Sequence, residues 1–510
     1  METSRAQNTK RNLIWGFFQR VLSVLLPFFV RTALIYQLGV NYVGLNSFYL
    51  SILNVLNLAE LGFGSAIAYS MYKPIAEEDH ETVARLLRYF KKVYRIIGLS
   101  IFVAGLVIMP FLEDLITGEH PADINLQLGF FIYLLNTSIS YLMFGYRQTL
   151  LTAHQRNDVV SKIQSIVLIA LNLLQVVTLL VFPNFYVFML LVPITTIVQN
   201  IVLYIASNKL FPQYKEYGYL KTGLNKQESK LIKQRVLGVF LYKACKVTRN
   251  SFDMIFISMF LGLTVAGCYS NYFMIVSSVL TVLNVIYSSM TASVGNSIVS
   301  ESKEKNFNDM RLFMFMYAAI ACVCLACVLC LSQPFIELWV GPSLMLPDYI
   351  VWLLCIYFCV GIMGDIRSVY VDALGLWWKL KGRSVIEMVL NIALNVILVQ
   401  VIGLAGVVIA TIVSMVLVNY LWGSEVVFTN YFQNGGLTIF FKDNLIYVLA
   451  TAICCIVPYV VLSFVVGSPL LKLIVGAVLA VVFSAGLWLA MFSRSKRLRL
   501  AITFLKGIRS

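Results

Sequence analysis

The stretch from Arg235 to Leu261, RVLGVFLYKACKVTRNSFDMIFISMFL, is long enough to cross a bilayer, yet it carries Lys243, Lys246, Arg249, Asn250 and Asp253. At ~100° per residue these side chains fall within an arc of about 120°. One face of an otherwise apolar helix is therefore cationic. A basic residue near a membrane-helix centre costs roughly 2.5–3.5 kcal/mol, so three of them facing lipid would together cost on the order of 8–10 kcal/mol. The face is expected to look into protein or a wet cavity, where arginine and lysine bind phosphate well, arginine through a planar fork. The first apolar span repeats the pattern: Arg20, Ser23, Pro27 and Arg31 lie within an arc of about 80°. Arg20 is shallow enough to snorkel. Arg31 is deeper, and two readings stay open for it: it lines a cavity, or it partners an intramembrane carboxylate.

Acidic residues at membrane depth are the natural counterparts. Glu60 stands in NLAELGFG, Asn57 to Gly64, either as a counter-ion for Arg31 or as a protonatable or cation-binding site. The tenth apolar span holds Asp365, Arg367 and Asp372, a combination that reads as a local structural network. Glu387 and Glu425 fall near helix ends and are expected to be interfacial. His80, His120 and His154 are too scattered for a metal site, with His80 expected to be solvated. Cys322, Cys324, Cys327 and Cys330 form CxCxxCxxC, but within the apolar run AAIACVCLACVLCLS, where small residues at a helix–helix contact are a better reading than zinc. No phosphate loop, nucleophile elbow or soluble pair of acid–base carboxylates occurs, which argues against an ATPase or a hydrolase; the chain is not expected to be an enzyme.

The elements that must position these residues are membrane helices. Of 510 residues, 60% are hydrophobic and 12% charged, with a mean hydropathy of +0.83, which defines an all-α polytopic membrane protein. Apolar spans run over about 13–38, 43–72, 96–116, 126–150, 159–182, 185–206, 236–261, 264–294, 312–332, 348–373, 384–402, 404–428, 444–466 and 470–492, fourteen in all. The segment Lys73 to Lys92 between the second and third is mixed in charge and is expected to be an interfacial helix.

Thirty of the 39 Lys and Arg residues lie in the N-terminus, the C-terminus and one set of alternating connections, and none in the other set. That asymmetry places both termini in the cytoplasm. It also accounts for most of the net charge of +15; basic residues scattered over short loops give no support to nucleic-acid binding. The first span, interrupted by Arg20 and Arg31, reads as a retained helix rather than a cleaved leader.

The polar stretch 207–235 separates six spans from eight. An echo supports two halves: LGVxxxG at Leu38 to Gly44 returns as LGLxxxG at Leu261 to Gly267, an offset of 223 residues under which Arg20 falls on Lys243. Helices 1–2 and 7–8 would then be equivalent parts of two lobes, as in transporters built from repeats. The division expected is 1–206 for the first lobe, 207–235 for the linker, 236–428 for the second lobe, and 429–510 for a loop, two further helices and a basic tail.

Three stretches also carry a resemblance: the opening NLIWGFFQRVLSVLLPFFVRTALIYQLGVNYVGLNSFYLSILNVLNLAELGFGSAIAYSMYKPIAEED, then NSFDMIFISMFLGLTVAGCYSNYFMIVSSVL, and GLAGVVIATIVSMVLVNYL. The chain resembles the Wzx-type polysaccharide flippases of the multidrug/oligosaccharidyl-lipid/polysaccharide (MOP) exporter superfamily. The resemblance implies a V-shaped pair of six-helix lobes, helices 1–6 and 7–12, followed by two more helices. It implies a bacterial inner-membrane protein that moves undecaprenyl-diphosphate-linked oligosaccharide to the outer leaflet, with the basic residues Arg20, Arg31, Lys243, Lys246 and Arg249 facing the diphosphate. Coupling to protons or sodium would fall to Glu60, Asp253 or Asp365, with no other cofactor. Partners implied are the lipid-linked substrate, membrane lipids, and the polysaccharide polymerase and other envelope-assembly proteins. A cation-coupled antiporter for small molecules is the alternative, though it should prefer an acidic cavity. A non-transporting scaffold would leave the buried charges unexplained.

Overall fold

The structure, a computed structural model, describes residues 5–60, 63–216, 226–432 and 436–507. Its described residues are helical and contain no strand. Packing divides the chain into two units, Met1–Gly267 and Cys268–Ser510. The polar stretch 207–235 belongs to the first unit, and the division falls just beyond the second copy of the echo.

The first unit contains α1 (Arg5–Gln37), α2 (Val40–Leu56), α3 (Phe63–Ala76), α4 (His80–Ile108), α5 (Leu126–Leu142), α6 (Tyr146–Ala153), α7 (Asn157–Val181), α8 (Phe185–Leu210) and the short α9 (Gln213–Glu216). Helix α10 (Lys226–Ser300) begins in it and is interrupted at Gly262, where φ is 84°. The second unit continues with α11 (Lys303–Val340), α12 (Asp348–Met363), α13 (Asp365–Leu374), α14 (Lys381–Ile402), α15 (Leu404–Ser414) and α16 (Gly423–Val427). It closes with α17 (Gly436–Ser463), α18 (Pro469–Val478), α19 (Ser484–Phe492) and α20 (Lys496–Gly507). Among the described residues eleven helices are long and apolar enough to span a membrane, or twelve with the bent pair α5–α6. Adding the broken pair α2–α3 and dividing the Val247–Ser300 run at Gly262 reconciles this with the fourteen expected spans.

One expectation is corrected. Residues 80–92 form no separate interfacial helix; they are the start of α4, which runs unbroken for 29 residues. Asp79 caps its N-terminus by accepting from the Thr82 amide at 2.9 Å, and no proline or glycine stops propagation before Gly98. The bond from Thr82 also holds the Asp79 carboxyl below its usual range. Nearby, His80 packs edge-on against Tyr214, and the Tyr214 hydroxyl meets Nε2 of His154 at 3.0 Å. Two of the three histidines therefore converge on one tyrosine, and burial lowers the pKa of His154.

The echo of 223 residues is a structural relation. Gly39 and Gly262 both adopt positive φ, at 106° and 84°, with ψ of 169° and 172°. That conformation favours glycine, and it starts a new helix at once in each copy. Thr264 Oγ1 donates to Asn41 Oδ1 at 2.6 Å, again across 223 residues. The contact is reciprocal: a Cβ on Gly44 would lie 2.0 Å from the Leu263 carbonyl oxygen, and one on Gly267 would lie 2.4 Å from that of Val40. The same register continues along α7 and α14, where buried Ser161 and Asn172 correspond to buried Ser384 and Asn395, and Gln164 to Glu387. Both fourth spans are broken, α5 from α6 at residues 143–145 and α12 from α13 at Gly364.

Because the obstacle at Gly44 and Gly267 is backbone, alanine at either position should force the two helix starts apart and cost about 1–3 kcal/mol, as overpacking does. Gly16, with nothing within 4 Å of an added Cβ, should tolerate alanine. Thermal unfolding of the three variants checks this; equal midpoints for all would show that the close approach carries no stability.

Candidate functional site

In the first unit, α1 packs chiefly on α7, and Gln19 bonds Gln164 there at 2.6 Å. Leu13, Phe17, Val21, Leu25 and Phe29 form an exposed i, i+4 stripe, as a lipid-facing helix requires. Arg20 and Ser23 are exposed, whereas Arg31 is partly buried in the last turns before the Gly39 break. On α10 the structure buries Arg249 and Asp253, at 6% and 4% exposure. They stand one turn apart on one helix, a spacing at which opposite charges meet. Lys243 and Lys246 lie on the same helix, but their side chains fall outside the described residues.

Glu60 sits at a break. A single 3-10 turn, Asn57–Glu60, separates α2 from α3, which turns the carboxylate toward α4 and α5. There the Tyr94 hydroxyl donates to Oε1 and the Tyr141 hydroxyl to Oε2, both at 2.5 Å, and Tyr141 also lies 3.3 Å from Asn57 Oδ1. The two rings stack edge-on, 5.3 Å apart. Each carboxylate oxygen thus has a hydroxyl donor. The tyrosines could not be foreseen from sequence, since each lies more than thirty residues away, 34 for Tyr94 and 81 for Tyr141.

In the second unit, Asp365 accepts from the Tyr317 hydroxyl at 2.7 Å, and Asp372 from Trp377 Nε1 at 2.8 Å and Tyr287 at 2.5 Å. Arg367, 2% exposed, donates to the Asn419 carbonyl at 2.5 Å, to its side-chain oxygen at 2.9 Å and to Ser368 at 3.0 Å. The Asn419 carbonyl lies in a π-helical stretch, Met415–Trp422, where the wider turn disturbs the usual backbone ladder. Glu387, near the start of α14, is completely buried in protein; it pairs with Arg383 at 3.1 Å and accepts from Asn419 at 3.3–3.4 Å. The reason is the register of α14: Arg383, Glu387, Asn391 and Asn395 recur every four residues on its inward face. The cysteine run packs α11 against α17, with the Cys455 thiol 3.7 Å from the Cys322 carbonyl. No group of described residues could hold a metal ion.

Buried Arg147, on α6, was missed among the candidates; its position just past a helix break in the fourth span was the available signal.

No protein-family model and no curated relative matches the chain. Solved structures do share its fold. A structure of the lipid II flippase MurJ, in an inward closed conformation, superposes with a TM-score of 0.63 at 16% identity, covering 94% of this chain and 99% of that one. A Vibrio cholerae MATE transporter gives a TM-score of 0.57 at 14% identity, covering 86% and 99%. An inward-facing multidrug resistance MATE transporter of the MOP superfamily gives 0.58 at 13% identity, covering 79% and 94%. The chain therefore shares its fold with these solved structures, described as MATE transporters and a lipid II flippase.

Arg383→Leu should destabilise the second unit by about 3–5 kcal/mol, because it strips an ion-pair partner from a buried carboxylate. The double replacement Arg383→Leu with Glu387→Leu should cost much less than the sum of the two single changes. Unfolding midpoints of the four proteins form the cycle; additive costs would mean the two side chains do not stabilise each other.

Proposed function

We propose that this chain is a flippase that carries undecaprenyl-diphosphate-linked oligosaccharide from the cytoplasmic to the outer leaflet of a bacterial inner membrane, by alternating access, for cell-surface polysaccharide synthesis. The observation that carries the reading is arginine within apolar helices of membrane-spanning length: Arg31 on α1 and buried Arg249 on α10, within a fold shared over nearly the whole chain with a lipid II flippase. A lipid-linked diphosphate crosses slowly because its charged head must leave water. Guanidinium and ammonium groups inside the membrane lower that barrier, while the prenyl tail stays in lipid. Arg20, Lys243 and Lys246 are further basic residues in the sequences of the same two helices. Both termini are assigned to the cytoplasm, and a polymerase acting on the flipped glycan is the partner that would follow.

A second reading is favoured by Glu60, whose carboxylate is fixed by two hydroxyl donors. It is a cation-coupled small-molecule antiporter; one MATE neighbour is described as a multidrug resistance transporter. Proteoliposomes separate the two. Transfer of a fluorescent undecaprenyl-diphosphate oligosaccharide between leaflets is expected with the intact chain. Arg31→Ala and Arg249→Ala should each lose it, by about tenfold or more for one charge-assisted contact, and Arg249→Lys should keep part. Normal transfer by both alanine variants would remove the basic-face reading.

Glu60→Gln retains an amide oxygen for one tyrosine but removes the charge. If Glu60 couples an ion, transfer driven by a proton or sodium gradient should fall to the rate seen without a gradient. An unchanged gradient response would assign Glu60 a structural role.

A further inference from the structure

The broken fourth span places a buried arginine just after its break in each half of the chain, Arg147 on α6 and Arg367 on α13. The two are treated differently. Arg367 finds protein acceptors in Asn419 and Ser368. In α8 and α15 onward the offset between halves is 219, as their first residues Phe185 and Leu404 show, so Asn419 corresponds to Asn200 and Gly423 to Tyr204. A Cβ on Gly423 would lie 2.4 Å from Arg367 Nη1. Tyr204 instead lays its ring over Arg147, with the guanidinium carbon 5.3 Å from the centroid, and Tyr146 offers a second ring at 5.5 Å.

Aromatic rings attract the flat of a guanidinium, but its N–H groups point outward in the plane and need oxygen acceptors. Arg147 is 8% exposed, and its Nε and Nη1 make no hydrogen bond. Asn200, 4% exposed, has an unpartnered Nδ2, and Ser207, fully buried, an unpartnered Oγ. Asn200, Tyr204 and Ser207 lie on one face of α8 by their spacing. Lys91 of α4 adds a second cation, 5.8 Å from the centre of the Tyr146 ring. Among the described residues no carboxylate pairs with Arg147 or Lys91; Asp158, at the head of α7, is taken by Arg11 at 2.6 Å and Arg156 at 2.9 Å. Two positive charges and buried donors, with no protein anion between them, leave a net demand for an acceptor carrying negative charge and several oxygens.

From this geometry we infer that Arg147, Lys91, Asn200 and Tyr204 form a phosphate-binding site inside the first unit, two turns before the end of α6. The site is built on α4, α6 and α8 rather than on α1 and α10, and does not depend on the transport reading. Its ligand is a phosphate group, either the headgroup phosphate of a membrane lipid or free phosphate.

The full chain, purified in neutral detergent, is titrated in parallel with inorganic phosphate and with phosphatidic acid in mixed micelles, while its thermal midpoint is followed. A ligand that binds only the folded state raises the midpoint saturably. Arg147→Gln should weaken the apparent affinity about tenfold or more, and Lys91→Gln severalfold, whereas Lys73→Gln, which removes an exposed charge elsewhere, should leave it unchanged. Stabilisation by phosphatidic acid alone identifies a lipid phosphate; competition by inorganic phosphate identifies a soluble one. The inference is overturned if neither ligand stabilises the native chain, if Lys73→Gln weakens binding as much as Lys91→Gln, or if binding survives Lys91→Gln unchanged. That last comparison holds the test even should Arg147→Gln fail to fold.

Discussion

Burial takes water away from a charge, so every buried ionised group must be answered by protein, by trapped water or by a ligand. The packing of this chain follows from that demand. Asp443 on α17 is held by Arg311 of α11 at 2.8 Å and by Arg497 at 2.7 Å, which ties the C-terminal amphipathic helix to the bundle. Glu387 is answered by Arg383 and Asn419, and Glu60 by two tyrosines. Such groups are expensive to bury and weak evidence of stability in themselves. Their worth lies in fixing which helices meet and at what rotation, since a turn of the helix would leave a buried charge unpaired.

Irregular backbone is confined to places where protein can satisfy it. The fourth span of each half is broken, and the breaks are followed within a turn by Arg147 and Arg367. In the second half the nearby π-helical stretch supplies a carbonyl to the arginine. In the first half the corresponding face of α8 presents a tyrosine ring instead. The equivalent position is thus closed with protein acceptors in one half and lined with rings and donors in the other. Divergence between repeats of this kind separates a structural position from one free to take a ligand.

The repeat itself is held by its smallest residues. Gly44 and Gly267 let the starts of two helices approach until backbone meets backbone, and Gly39 and Gly262 supply the turn that precedes each. Close approach of this type is the usual means of joining helices where the hydrophobic effect gives no net drive between them. Here it joins equivalent points of the two copies, both inside the first unit.

Much of this was legible in the residues alone. Apolar runs of membrane length define the spans, the one-sided distribution of Lys and Arg orders them, and an exact repeat of small residues at 223 betrays the duplication, because each of these is imposed locally by the bilayer or by glycine's backbone freedom. Local pattern also marked Glu60, Arg249 and Asp253 as charges that could not face lipid. What it did not contain was the identity of their partners. Tyr94 and Tyr141 are unremarkable until three segments converge on Glu60, Glu387 is only a carboxylate near a helix end until the rotation of α14 turns it inward, and Arg147 differs from Arg367 only through what the neighbouring helix presents. Those outcomes depend on contacts between residues far apart in the chain, so only the tertiary structure decided them.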